Sequence, residues 1–109
     1  MDPKTARSAD IAPIPIAAGS WRKTITWGER TLVSEVTFDQ GGVVPIHSHP
    51  HEQTGYVVSG SIEFTLGDQK VVLRGGEGYL IPGHVPHGCL ALEASVAIDV
   101  FSPVREEYK

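Results

Sequence analysis

The 109 residues leave room for one domain and one core, and 40% hydrophobic against 20% charged residues is an ordinary globular balance, with no apolar run near the roughly 20 residues of a membrane helix. A formal charge of -4 with scattered lysines and arginines excludes a nucleic-acid partner that needs a basic face, so an anionic ligand would have to be attracted locally. One cysteine forms no intramolecular disulfide, and Met1 to Asp10 lacks the basic and apolar parts of a secretion signal, so the expectation is a cytoplasmic protein with neither nucleic-acid nor membrane partners.

Residues 1–20 read as an N-terminal arm, because Pro3, Pro13 and Pro15 stop any helix. Ile11, Ile14 and Ile16 are too apolar for a free tail, so part of the arm should lie along the domain or along a partner subunit; for the first ten residues the alternative is disorder. From Trp21 onward, residues 21–109 form a single domain of short β-branched and aromatic runs with no sustained 3.6-residue period. Strands are expected at Trp21–Trp27, Thr31–Phe38, Val43–His47, Thr54–Val58, Ile62–Leu66, Lys70–Leu73, Gly78–Ile81, Gly88–Leu92 and Val96–Phe101. Turns fall at Gly28-Glu29, Ser59-Gly60, Gly67-Asp68 and Gly75-Gly76. So many short strands predict an all-β fold, best a small antiparallel jelly-roll barrel, in which one face of each strand lines the interior.

Between the third and fourth strands lies His47-Ser48-His49-Pro50-His51-Glu52-Gln53, far denser in imidazole than the composition would give. In an extended segment His47 and His49 share a face, and the bend at Pro50 brings the Gln53 amide toward the same point while Glu52 turns away. Two imidazoles and an amide under-coordinate a divalent ion, and His87, at the head of another apolar run, is the best further donor. The expected site is therefore one divalent transition metal on His47, His49, Gln53 and His87. Nickel, zinc, iron and manganese all accept such donors. Four neutral ligands leave the ion its full charge and favour Lewis-acid work. Cys89, two residues on, is either a small buried hydrophobe or a thiol lining the cavity. His51 and His84 could take part in proton transfer but read as solvated loop histidines.

In Ala97-Ile98-Asp99-Val100-Phe101 a carboxylate interrupts an apolar strand. Alternation puts Ala97, Asp99 and Phe101 on one face, so Asp99 and Phe101 look either into the cavity or into solvent. Arg105 beyond them could pair with Glu106 or Glu107 at the surface.

The spacing Gly41, five residues, His47, His49, Gln53, six residues, Gly60 resembles the first cupin motif, and Gly76, five residues, Pro82, with His87 five positions on, resembles the second. Two departures stand out: Gln53 replaces the usual glutamate, and Ala91 stands where asparagine is common. The ending Asp99 to Tyr108, with His47 to Gln53 and Pro82 to His87, is similar to one cupin subgroup, the pectin-degradation proteins. That resemblance, from about Trp21 to the C-terminus, implies opening of 4,5-unsaturated uronates, released by pectin and alginate lyases, to linear 5-keto-4-deoxyuronates. It implies a metal on His47, His49, Gln53 and His87, with Asp99, Phe101 and Arg105 completing the pocket for a small anionic sugar. Such chemistry needs an electrophile, a proton shuttle and an anion anchor, which the ion, Asp99 and Arg105 can supply, with Phe101 as an apolar wall. The alternatives are a cupin dioxygenase or isomerase acting on another small molecule, and a non-enzymatic sugar-binding cupin. A barrel this small, with its isoleucine-bearing arm, is expected to be a homodimer.

Overall fold

Alternation between apolar and polar residues produces ten strands in the computed structural model, which describes all of residues 1–109. They are β1 (Ile14–Ala17), β2 (Ser20–Trp27), β3 (Leu32–Phe38), β4 (Val43–His47), β5 (Glu52–Ser59), β6 (Ser61–Leu66), β7 (Gln69–Arg74), β8 (Gly78–Ile81), β9 (His87–Ala91) and β10 (Ser95–Ser102). The only helical pieces are 3₁₀ turns at Ser8–Asp10 and Glu106–Tyr108. The strands pair antiparallel into two facing sheets, β1-β2-β3-β10-β5-β8 and β4-β9-β6-β7, which is the expected all-β jelly roll. It is not a ring closed by hydrogen bonds. Pro15 in β1 and Pro45 in β4 explain part of this: each lacks an N–H and sits in an edge strand, and the β4–β9 register breaks between Val44 and His47.

The arm runs along its own chain. Ile14 and Pro15 pair with Arg22 and Trp21 of β2, and Gly19, in the left-handed region at φ 72°, turns the chain between β1 and β2. Further out, Ser8 Oγ donates to Glu35 Oε1 at 2.7 Å and Lys23 Nζ donates to the Ser8 carbonyl at 2.8 Å. The start of β5 also differs from expectation. It begins at Glu52 rather than Thr54, so Gln53 is held in a strand ladder opposite Phe101 and Ile81.

The inner face of the larger sheet divides into two zones because the register stacks like residues in rows. Ala97 lies between Val36 and Val57, and with Ile62, Phe64 and Ile81 they form the main apolar core. One step along β10, Asp99 lies between Ser34 and Gly55, with Tyr79 beyond; the next step sets Phe101 between Leu32 and Gln53. A polar row is thus enclosed between apolar ones. On the outer face of the same sheet Tyr56, Val58 and Leu80 are exposed apolar residues beside half-buried Ile98 and Val100.

Ile62 has no exposed surface and sits against this core from the opposite sheet. Replacing it by alanine should lower the unfolding free energy by about 2–5 kcal/mol in urea titration. A loss below about 1 kcal/mol would show that the two sheets do not close over it.

Candidate functional site

Four elements converge at one end of the interior. His47 closes β4 and His87 opens β9, where the two pair directly, so a short antiparallel ladder sets two imidazoles side by side with ring centres 4.3 Å apart. His49 lies in the following loop, which is pinned from the other side: the His84 N–H donates to the His49 carbonyl at 2.7 Å. There Gly83 approaches so closely that a Cβ would lie 2.5 Å from the Pro50 carbonyl oxygen. His49 is thereby held 4.9 Å from His87 and 5.6 Å from His47, ring centre to ring centre.

The hydrogen bonds of these rings fix their tautomers. Nδ1 of His47 donates to the Pro45 carbonyl at 2.8 Å, Nδ1 of His49 to the His51 carbonyl at 3.1 Å, and Nδ1 of His87 to the Val85 carbonyl at 2.8 Å. A carbonyl oxygen only accepts, so each Nδ1 carries a proton, and in the neutral form of each ring it is Nε2 that holds the lone pair. The three rings offer nitrogens within 4.8 Å of one another. Nε2 of His87 is buried without a partner, and Nε2 of His49 faces the Gln53 amide oxygen at 3.0 Å. Lone pairs aimed at each other at that distance are stabilised by a cation between them. This donor set therefore fits a divalent ion, with the carbonyl bonds orienting the rings as outer partners of metal-bound histidines do.

Burial lowers the His49 pKa to about 4, helped by the Arg105 charge and by the other two imidazoles, against a raising contribution from Gln53. The His87 pKa is lowered too, again chiefly by burial. Both rings are therefore neutral and ready to bind a cation at neutral pH.

Beyond the imidazoles lies a small cavity of about 50 Å³ that opens to solvent. Asp99, Phe101, Arg105 and Gln53 all line it, so the strand's inward face is the one carrying the carboxylate. Asp99 is only 7% exposed and Tyr79 donates to its Oδ1 at 2.6 Å. Burial pushes the Asp99 carboxyl above the usual range, while the Tyr79 hydrogen bond, the adjacent Gln53 amide and the Arg105 charge pull it back. Arg105 meets both of its expected descriptions. Its Nε donates to Glu107 Oε1 at 2.8 Å, yet its side chain is 12% exposed and its guanidinium lies on the cavity wall, 5.2 Å from the centre of the Phe101 ring.

Glu52 is exposed, as its alternation with Gln53 requires. Cys89 lines the cavity, and burial pushes its thiol up to about 12, which makes it a neutral wall residue rather than a nucleophile. His84 is exposed, and His51 is half-buried with its ring 5.4 Å from His49; neither lines the cavity.

Three side chains at the site had no role in the sequence reading. Tyr79 is the partner of Asp99, and Tyr108 lies between two cations, Arg105 at 4.1 Å and Arg22 at 3.9 Å from its ring centre. The glycine inside the β5 run, Gly55, is the one local sign that a side chain crosses that strand. Tyr108 and Arg22 leave no such sign, because their meeting depends on how the C-terminal turn folds back over β2.

The cupin domain family matches this chain over residues 34–101. The pectin degradation protein KdgF of Dickeya dadantii (strain 3937) is 37% identical over 92 residues, covering 83% of this chain and 84% of that protein. The structure of KdgF from a Halomonas species superposes with a TM-score of 0.93 at 33% identity, covering 99% of this chain and all of the other. An RmlC-like cupin from Shewanella frigidimarina gives a TM-score of 0.92 at 27% identity, over 99% and 97% of the two chains.

The His49 shift sets an acid limit on the metal-free protein. Its folded pKa of about 4 lies below the ordinary 6.5, so folding favours the neutral ring; that contribution is complete above about 6.5 and is lost as the pH falls through about 4. Asp99, shifted upward, has the opposite slope. Melting temperatures of chelator-treated protein should therefore fall between pH 6.5 and 4, and less steeply in His49→Gln. An unchanged acid branch in that variant would assign the effect to other groups.

Proposed function

Because the chain belongs to the cupin family and, within it, to the pectin degradation proteins, we propose that it opens 4,5-unsaturated uronates to linear 5-keto-4-deoxyuronates in a metal-dependent reaction. The observation that carries this reading is the convergence in one cavity of an oriented imidazole cluster, a buried carboxyl and a guanidinium. A divalent ion held by His47, His49, His87 and Gln53 would supply a Lewis acid for oxygens of the substrate.

The chain's own residues account for the rest. Ring opening takes a proton from the anomeric hydroxyl, breaks the bond between C1 and the ring oxygen, and places a proton on C4 as the enol becomes a ketone. No other reactant is consumed. Asp99, inside the cavity and favouring its protonated form more than an exposed carboxyl does, is the group that moves the proton. Arg105 has its Nε on Glu107, which leaves its terminal nitrogens for a two-point contact with the substrate carboxylate. Phe101, 2% exposed, gives the sugar an apolar wall and limits water.

We also propose that two copies pair through the outer face of β5, β8 and β10. A two-fold contact would bury the apolar Tyr56, Val58 and Leu80 of each copy against those of the other.

The catalytic assignment is tested on unsaturated galacturonate, followed by loss of its ultraviolet absorbance. Asp99→Asn should lower kcat by about 10²–10⁴-fold with metal content intact, and Arg105→Ala should chiefly raise KM. The double variant His47→Ala/His49→Ala should lose both metal and activity. Full activity in Asp99→Asn would remove the proton-transfer role, and an inactive parent that binds the sugar would make this a sugar-binding cupin. Pairing is checked separately by light scattering, which should give twice the chain mass of 11.7 kDa and return to a single chain in Tyr56→Lys/Leu80→Lys. A monomeric parent at micromolar concentration would refute the dimer.

A further inference from the structure

Tyr79 plays no part in the reaction as assigned above, yet the sheet is built around it. It stands on β8, and Asp99 on β10, with β5 between them. A side chain crosses an intervening strand only where that strand presents none of its own. Gly55 is the residue in the way, since it pairs with Asp99 on one side and with Tyr79 on the other. A Cβ there would lie 2.0 Å from Tyr79 Cζ and 2.4 Å from its hydroxyl oxygen. Gly55 is not among the glycines with positive φ, so space rather than backbone conformation requires glycine at this point.

The ring laid across Gly55 is clamped by Phe64, with ring centres 4.4 Å apart, and its hydroxyl donates to Asp99 Oδ1 at 2.6 Å. That falls within the roughly 2.5–2.7 Å of a hydroxyl donating to a carboxylate. Asp99 is flanked on its other side by Ser34, whose hydroxyl is buried without a partner, so Tyr79 is the side chain that ties the carboxyl down in its own row.

We propose that Tyr79 is the positioning residue of Asp99. By holding Oδ1, with the Gln53 amide also on the carboxyl, it keeps the group from rotating while it exchanges its proton with the substrate, and Gly55 provides the space for that reach. The inference takes the reaction from the uronate-opening reading, but the pairing itself belongs to the fold.

Tyr79→Phe removes one oxygen and keeps the ring. With metal content and KM close to the parent, kcat on unsaturated galacturonate should fall about 10- to 100-fold, the usual cost of losing an orienting partner behind a working group. In an Asp99→Asn background the same change should cost less than about threefold, because a residue that acts through Asp99 has nothing left to act on. Parent-like kcat in Tyr79→Phe, or the full loss persisting in the Asp99→Asn background, would overturn the proposal. A second measurement does not depend on activity. Proton NMR of the parent should show an exchange-protected tyrosine hydroxyl that disappears in both Tyr79→Phe and Asp99→Ala, and its absence from the parent would equally overturn the positioning role. If the parent opens no uronate while that resonance is present, the functional reading falls and the pairing stands.

Discussion

The site depends on hydrogen bonds from imidazole Nδ1 to three backbone carbonyls, those of Pro45, His51 and Val85. Each carbonyl is two residues from the ring it orients, so the geometry is local and is fixed as soon as the strand ends and loops take shape. The consequence is global. With every Nδ1 occupied, three lone pairs are aimed at one region, an arrangement that lacks favourable partners until a cation or a proton supplies one. The fold tolerates this because the loop carrying His49 and the loop leading into His87 at the head of β9 are tied together, through the His84 N–H and the close approach of Gly83 to Pro50, and cannot swing the rings out to water.

Gln53 follows from the same constraint. Its amide oxygen faces His49 at 3.0 Å, and its side chain also lies against Asp99, whose carboxyl its hydrogen bonding stabilises. A glutamate would set a second carboxylate against Asp99 in a buried row, and two like charges there would raise the pKa of one of them strongly. An amide has an acceptor end and a donor end, and so serves both neighbours without adding charge. The departure from the usual cupin glutamate and the aspartate in the last strand are thus parts of one arrangement, joined by the pairing of β5 with β10.

What could be read from the sequence separates along the same line between local and distant causes. The strands from Trp27 back to Ser20 and onward to Ser102 were legible because each is a short β-branched run bounded by turn residues, and the imidazole cluster was legible because it is dense. Strand β1 was hidden by Pro13 and Pro15, which mark an edge as readily as they mark a loop. Alternation put Ala97, Asp99 and Phe101 on one face, but whether that face looked inward depended on both neighbouring strands. Tyr79 was the least accessible, since its contact with Asp99 needs the registers of three strands at once, with only Gly55 to hint at it.

The C-terminal turn extends this logic to the mouth of the cavity. Tyr108 lies between the Arg22 and Arg105 guanidinium groups, an arrangement in which each face of the ring attracts a cation, and Thr24 of β2 donates to the Tyr108 carbonyl. Arg105 is consequently held by Glu107, by Tyr108 and by its position over Phe101 before any ligand arrives. A long side chain fixed in this way gives up little further rotamer freedom on binding, where a free one would lose up to about 2 kcal/mol. Two like charges would ordinarily repel at such a distance, but the ring between them offsets that repulsion and the exposed Glu107 carboxylate neutralises part of it. The net effect is a fixed positive group at the rim of an otherwise acidic protein, set beside the imidazoles and the buried carboxyl.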